Sequence, residues 1–170
     1  MLKGKKVQLR AIEPTDVNMM LLWENDSENW HVSETLAPFS KFLIESYLQS
    51  AQDIYVTKQI RFVIESIETN EPVGLLDFFE YAPRHQRAGL GILIEKNSRK
   101  EGFATDAIEI AKVYAKSIDL HQIFCSIGAD NVKSIRLFEK AGFVETGLKR
   151  DWRKLHGKWT DELDFQYIIE

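Results

Sequence analysis

The sequence predicts a single α/β domain built around a βαβ unit, and three observations carry that expectation. Short apolar runs that read as strands alternate with longer runs whose apolar residues recur at helical spacing. Leu90 to Ile94, a strand-like run, is followed by a basic glycine-bearing turn, a helix-like run and the strand-like Gln122 to Ile127, the order of a right-handed crossover. No repeat, low-complexity tract or linker interrupts the 170 residues, a length suited to one domain with a substantial core.

Each element has its own local reason. Val7 to Ile12 alternates as a strand, and Glu13-Pro14-Thr15-Asp16 opens a helix to about Trp23 with proline and acids in its first turn. After a polar stretch from Asn25 to Ala37, a second helix is expected over Phe39 to Ala51, capped near Ser40. Arg61 to Ile67 reads as a strand and Thr69-Asn70-Glu71-Pro72 as a turn. Val73 to Glu80 and Gln86 to Glu95 follow as strands, joined by a hairpin at Tyr81-Ala82-Pro83-Arg84. The helix from Phe103 to Ile118 puts Ala104, Ala107, Ile108, Ala111, Tyr114, Ala115 and Ile118 on one face. Gln122 to Ile127 is a short apolar strand, and Asn131 to Lys140 a helix that ends where Gly142 supplies a left-handed cap. Leu148 to Leu155 and Asp161 to Ile169 form a last strand pair around His156-Gly157.

Composition narrows the function classes. Hydrophobic content of 44% and charged content of 28% are those of a soluble globular protein. No apolar run approaches the roughly 20 residues of a membrane span, and no secretory leader is read at the start, so no membrane partner is expected. A net charge of −4 argues against a nucleic-acid partner. Cys125 is the single cysteine, which fits a reducing cytoplasm, and its apolar run marks it as a buried strand residue. His31, His85, His121 and His156 lack metal-ligand spacing, so no metal is expected.

The most informative segment is Arg99-Lys100-Glu101-Gly102-Phe103-Ala104, between strand and helix. The first N–H groups of a helix have no intrahelical partner, and the macrodipole favours negative charge there. Gly102 lets the backbone approach a phosphate, while Arg99 and Lys100 supply countercharge. Ligands of βαβ units bind beyond the C-terminal ends of the strands, which is where this turn lies.

These residues resemble the GNAT superfamily of N-acetyltransferases, whose signature is Arg or Gln, two residues, Gly, one residue, then Gly or Ala. A second element, Asn131 to Phe143, is similar to that family's other cofactor-contacting helix, and the resemblance covers essentially the whole chain. It implies a mixed, mostly antiparallel central sheet with a βαβ acetyl-CoA-binding core flanked by helices. The nearest-looking branch holds spermidine/spermine and ribosomal-protein N-terminal acetyltransferases. The resemblance implies acetyl-CoA as co-substrate, its pyrophosphate on residues Arg99, Lys100, Gly102, Phe103, Ala104 and Thr105. The pantetheine arm would lie along Ile92, Leu93 and Ile94, where two strands splay, with Asn131 and Ser134 bonded to it and Lys140 reaching a phosphate. Asn131 as a plain helix N-cap, and Lys140 as a plain C-terminal helix charge, are the competing readings.

The expected reaction is direct transfer of acetyl from thioester to primary amine, with a backbone N–H near Ile92 facing the oxyanion. Many relatives carry a tyrosine in the second motif as acid for the leaving thiolate; this chain has Phe138, which has no proton to give. Candidate bases are Asp77, Glu80 and Glu65; Glu65 ends the run Phe62 to Ile64, while Asp77 and Glu80 lie in the strand Gly74 to Glu80, where the apolar neighbours of Asp77 are expected to raise its carboxyl pKa, and the choice falls on Asp77 or Glu80. In a regular strand the two point to opposite faces, so they pair only across a bulge. Gly89 and Gly91 are expected to mark such an irregularity on the next strand. Glu28, Glu34, Glu65, Asp77 and Glu80 fall in the half expected to hold the acceptor, with Glu34 and Glu65 as substrate-binding candidates. Such acids suit a polyamine acceptor. A peptide N-terminus is the alternative acceptor, and a non-catalytic acyl-CoA-binding module the alternative class. Trp152 and Trp159 flank the last hairpin turn, as a homodimer contact or a cap on the sheet.

Overall fold

In the computed structural model, residues 2–33, 35, 37–50, 52–155 and 157–170 are described, residues 31–33 by their backbone alone. The substrate-binding candidate Glu34, and His156 of the last turn, lie outside the described residues. Seven strands form one sheet: β1 (Val7–Ala11), β2 (Ile60–Ser66), β3 (Pro72–Ala82), β4 (Arg87–Ile94), β5 (Gln122–Gly128), β6 (Val144–Leu155) and β7 (Lys158–Ile168). Their order is β1-β2-β3-β4-β5-β7-β6, and among the described residues β4 with β5 is the single parallel pair. The helices are α1 (Val17–Glu24), α2 (Ser27–Ser33), α3 (Lys41–Gln49), α4 (Ile54–Thr57), α5 (Phe103–Ser117) and α6 (Val132–Lys140). This is the mixed, mostly antiparallel sheet with a β4-α5-β5 crossover that the sequence predicts.

The small face of α5 explains how the crossover seats itself. Ala107, Ala111 and Ala115 let the helix approach closely, and Ile108 fills the space between them, all four fully buried. They meet Phe62, Ile64, Leu76, Phe78, Leu90 and Ile123 in one core, to which α6 contributes Phe138. Burying each large side chain stabilises the fold by roughly 1.5–3 kcal/mol. Tyr114, on the same helix face, packs edge-on to Phe62 at 5.1 Å and against Phe78 at 5.3 Å, so it belongs to the core and not to the chemistry. On the opposite face of the sheet, Trp23 of α1 covers Val63 and Leu75. The remainder of that face, toward β5, β7 and β6, is the floor of a cleft.

Three differences from the expected elements have local causes. Helix α2 lies inside the stretch read as a polar loop; Ser27 to Ser33 has no apolar period, and the turn is held by Asp26 accepting from the Glu28 N–H at 2.9 Å. The one-turn α4 is too short for periodicity and is nucleated by Asp53, whose Oδ1 accepts from the Tyr55 N–H at 2.8 Å. Strand β6 starts at Val144 instead of Leu148, because a register shift between Glu145 and Gly147 breaks the alternation that would reveal it.

Candidate active site

The parting of two strands creates the site. β4 pairs with β5 only through Arg87, Ala88 and Gly89, opposite Gln122, Ile123 and Phe124. From Leu90 to Ile94, β4 continues on β3 alone, while β5 stays with β7. The edge of β4 from Leu90 onward therefore faces a gap where strand hydrogen bonds would otherwise run, a place that takes an extended chain bearing amides. The two glycines do not make a bulge on β4, as expected from sequence. Register with β3 is continuous there, and a Cβ at Gly89 would stand 2.3 Å from the Phe79 ring, so the glycine makes room for that ring. The irregularity is on β3 itself, between Phe79 and Ala82, where Glu80 takes φ +49°.

At the far end of the gap, Gly102 caps α5 with φ +83° and Lys100 is left-handed at +71°. Among the described residues the N–H groups of Phe103, Ala104 and Thr105 have no protein acceptor, which leaves them pointing at the turn. Arg99 holds this turn together: its Nε donates to the Ile94 carbonyl at 3.0 Å and its Nη2 to Asn29 Oδ1 at 3.1 Å. The cation that reaches the turn from elsewhere is Lys6, whose Nζ donates to the Glu101 carbonyl at 2.6 Å and would stand 3.5 Å from a Cβ at Gly102. Sequence reading missed it, because 95 residues separate the two partners. Asp106, one turn into α5, explains why Lys6 is there. Burial pushes its carboxyl up, but N–H donation from Lys6, Val7 and Lys5, at 2.7, 2.9 and 3.1 Å, outweighs this and holds it below the ordinary carboxylate range. Lys140 ends α6 as an exposed C-terminal cation.

Helix α6 forms the other wall. Asn131 is its N-cap, with Oδ1 accepting from the Ser134 N–H at 3.2 Å. The cap uses only the amide oxygen, which leaves the Asn131 NH₂ group out of the capping bond, and both Asn131 and Ser134 line the cleft. Phe138 lies one turn on, 3% exposed and edge-on to Phe143 at 4.9 Å. Phe138→Tyr is expected to leave the initial transfer rate unchanged or to raise it by up to roughly 10²-fold, by giving the leaving sulfur a proton donor. A large loss of rate would show that the unmodified ring is needed where it packs.

Gap and sheet face join in one cleft of about 960 Å³ that touches Gly91, Ile92, Asn131 and Ser134 at one end. Asp77 and Glu80 both line it, because the β3 bulge turns Glu80 to the side that alternation would deny it. They are not equivalent. Asp77 accepts from Arg61 Nε at 2.5 Å and Nη2 at 3.1 Å, and Arg61 also donates to Glu24 at 2.5 Å. The isolated acid among apolar neighbours expected from sequence is thus a carboxylate clamped by a guanidinium. Glu80 is exposed and has no cation partner among the described residues. Glu65 is placed elsewhere: it accepts from Arg10 and Gln8, both at 2.6 Å, on the β1–β2 side, and it does not line the cleft. Burial would raise its carboxyl pKa, but bonds from Arg10 and Gln8 leave it lowered. Glu28 pairs with Lys96 at 2.7 Å, again away from the cleft.

Two further features were not legible beforehand. Ser126, Lys149, Glu162 and Asp164 form a charged rung across β5, β7 and β6 on the cleft floor. The acids are visible in the sequence, but only the strand register sets them beside a lysine. Cys125 also reaches the cleft, and burial, helped by the charge of Asp164, pushes its thiol up to about 12. A thiol of that pKa is protonated at neutral pH, so it does not serve as an acyl-accepting nucleophile. Among the described residues, no group of His, Cys, Asp and Glu side chains is arranged to hold a metal ion. No helix among them is long and apolar enough to cross a membrane.

Comparison with known proteins agrees with this geometry. The family profile of the acetyltransferase (GNAT) domain matches residues 6–144. The spermidine N(1)-acetyltransferase of Vibrio cholerae is 28% identical over 98% of this chain and 95% of its own length. The crystal structure of spermidine N-acetyltransferase from that organism with CoA and spermine superposes with a TM-score of 0.87, at 24% identity, over 96% of this chain and 95% of the other. A dodecameric structure of the Vibrio cholerae enzyme gives 0.80 at 25% identity, covering 95% and 93% of the two chains.

Proposed function

The chain belongs to the GNAT family of acetyltransferases, and from that premise we propose that it is an N-acetyltransferase whose acceptor is a polyamine such as spermidine. One observation carries the proposal: the gap between β4 and β5 opens into a cleft whose floor holds the carboxylates Asp77, Glu80, Glu162 and Asp164. The names of the Vibrio cholerae enzyme and of its complex with spermine support the same acceptor. The turn fits acetyl-CoA, since unpaired N–H groups, a left-handed glycine and Lys6 together make an anion cradle beside a strand edge free to pair.

Acetyl-CoA, when bound, supplies a thioester whose acetyl carbon is open to a neutral amine. The N–H groups of Phe103, Ala104 and Thr105, with Lys6 and Lys100, hold phosphate; Asn131 and Ser134 bond to the amides of the pantetheine arm. A backbone N–H at Ile92, on the uncovered edge of β4, faces the developing oxyanion. Glu80 takes the amine proton, directly or through water, as the C–N bond forms; the C–S bond then breaks and the thiolate leaves to be protonated by solvent, while Asp77, fixed by Arg61, contributes negative charge that draws in the cationic acceptor. With no tyrosine at position 138, positioning carries most of the acceleration, and well-oriented groups reach effective molarities of about 10⁵ M or more.

A second acceptor is favoured by a specific observation. Arg61, Arg87, Lys149 and Arg153 line the cleft beside its four acids, and this balance suits a singly charged amine such as a peptide N-terminus. Thiol release from acetyl-CoA, measured with spermidine, spermine, diamines and peptides bearing free N-termini, separates the two. Turnover of polyamines but not peptides is expected; peptides alone would move the acceptor to the N-terminal class. Acetyl-CoA binding with no turnover of any amine would favour a non-catalytic module. A cytoplasmic location and self-association belong to the same proposal. The first rests on the single buried cysteine, the second on the exposed rings of Trp152 and Trp159 and on the dodecameric Vibrio cholerae structure.

A further inference from the structure

The charged rung on the cleft floor contains an alkylammonium that belongs to the protein. Lys149 Nζ stands 2.7 Å from Asp164 Oδ1, 3.1 Å from Glu162 Oε1 and 3.4 Å from Ser126 Oγ, with the Trp152 ring centroid at 5.3 Å. Two carboxylates, a hydroxyl and an aromatic face are the partners by which proteins recognise a primary alkylammonium. The rung is built by register: Lys149 lies opposite Glu162, and Asp164 opposite Ser126. Its position is held from beneath, since Glu162 is 7% exposed and also faces Arg153, Nε to Oε2 at 3.9 Å. Beyond Lys149, β6 shifts register before Arg153, and Asp151 there is left-handed at φ +49° with its N–H donating to Asp161 at 2.9 Å. Trp152, within the bulge, lines the same cleft as Glu80 and Gly91.

A lysine side chain is a four-carbon chain ending in an ammonium, the same chemistry as one end of a polyamine. Resting on the acceptor reading above, we infer that Lys149 is a specificity-determining residue: its ammonium fills the place that the distal ammonium of a longer polyammonium acceptor would take. The side chain thereby limits how many charges of the acceptor the cleft can neutralise. Acceptors with one or two ammonium groups are handled near Glu80 and Asp77, while a tetraamine must displace Lys149 to use Glu162 and Asp164.

Calorimetric binding of spermine to the full chain, without acetyl-CoA, tests this. Lys149→Met removes the competing cation and is expected to bind spermine roughly tenfold more tightly than wild type, the scale of one charge-assisted contact. Lys149→Arg should bind as wild type does, and Asp164→Asn added to Lys149→Met should remove the gain. Unchanged or weaker spermine binding by Lys149→Met, in protein that melts as wild type does, overturns the inference. Should that variant not fold, Lys149→Gln, whose amide keeps a bond to Ser126 and Asp164, is read by the same criterion. The two readings fail separately. A wild type that acetylates no polyamine contradicts the proposed acceptor, whereas turnover without the gain in spermine binding contradicts the role of Lys149.

Discussion

Gly102→Asp is expected to weaken acetyl-CoA binding severely while leaving the fold intact. At φ +83° the position is left-handed, a conformation aspartate tolerates better than most residues, so the strain is on the order of 1 kcal/mol. A negative charge at the first turn of α5 complements the helix dipole and offsets part of this strain. Stability should therefore fall by no more than about 1 kcal/mol. Binding should fall much further, because the new carboxylate points toward Lys6 Nζ, 3.5 Å from where its Cβ stands, and takes the donors that would hold phosphate. Loss of these charge-assisted contacts, plus repulsion of a pyrophosphate, raises the Kd for acetyl-CoA by roughly 10²-fold or more. Gly102→Asn, similar in shape but uncharged, should lose much less. Calorimetry with both variants separates charge from bulk, and an unchanged affinity in Gly102→Asp would remove the basis of the cofactor assignment.

Arg61→Met should be strongly destabilising for a change at the cleft wall. Arg61 ties Glu24 of α1 to Asp77 of β3, with the Tyr47 ring 5.6 Å from its guanidinium carbon. Side-chain exposures of 23% for Arg61, 13% for Glu24 and 29% for Asp77 make this a largely buried triad. Removing the one cation leaves two partly buried carboxylates near each other without a countercharge, a loss on the order of 3 kcal/mol. In a domain of this size that lowers Tm by roughly 6–12 °C. Adding Asp77→Asn should recover part of the loss, since the repulsion then disappears. A melting temperature unchanged in the single variant would mean the triad does not hold α1 on the sheet.

The fold was legible where apolar period and turn chemistry agree. The α5 stripe of Ala107, Ala111 and Ala115 and the Gly142 terminus stand as expected, and Asn131 caps α6, the role set against cofactor contact in the sequence. What escaped notice depends on contacts between residues distant in sequence. Asp77 looks like an isolated acid until Arg61, on the neighbouring strand, is set opposite it. Glu65 seems a wall of the acceptor site until β1 brings Arg10 to it. Glu80 joins Asp77 only through a bulge that no local residue pattern announces. Lys6 and Lys149 reach their places by strand order, one from the bend just before the N-terminal strand β1 and the other from the edge strand β6. The glycine turn before α5 was readable because, Lys6 apart, its chemistry is local; the cleft was not, because six strands contribute to it.

A crystal structure of the protein with CoA and spermine decides the cofactor and acceptor assignments together. The pantetheine arm is expected between β4 and β5, its amides on the edge of β4 and on Asn131, and its pyrophosphate on the N–H groups of residues 103–105 beside Lys6. An amine of spermine is expected within hydrogen-bond reach of Glu80, directly or through one water. CoA bound outside the parted strands, or spermine bound away from the cleft that holds Glu80 and Asp77, would contradict these assignments.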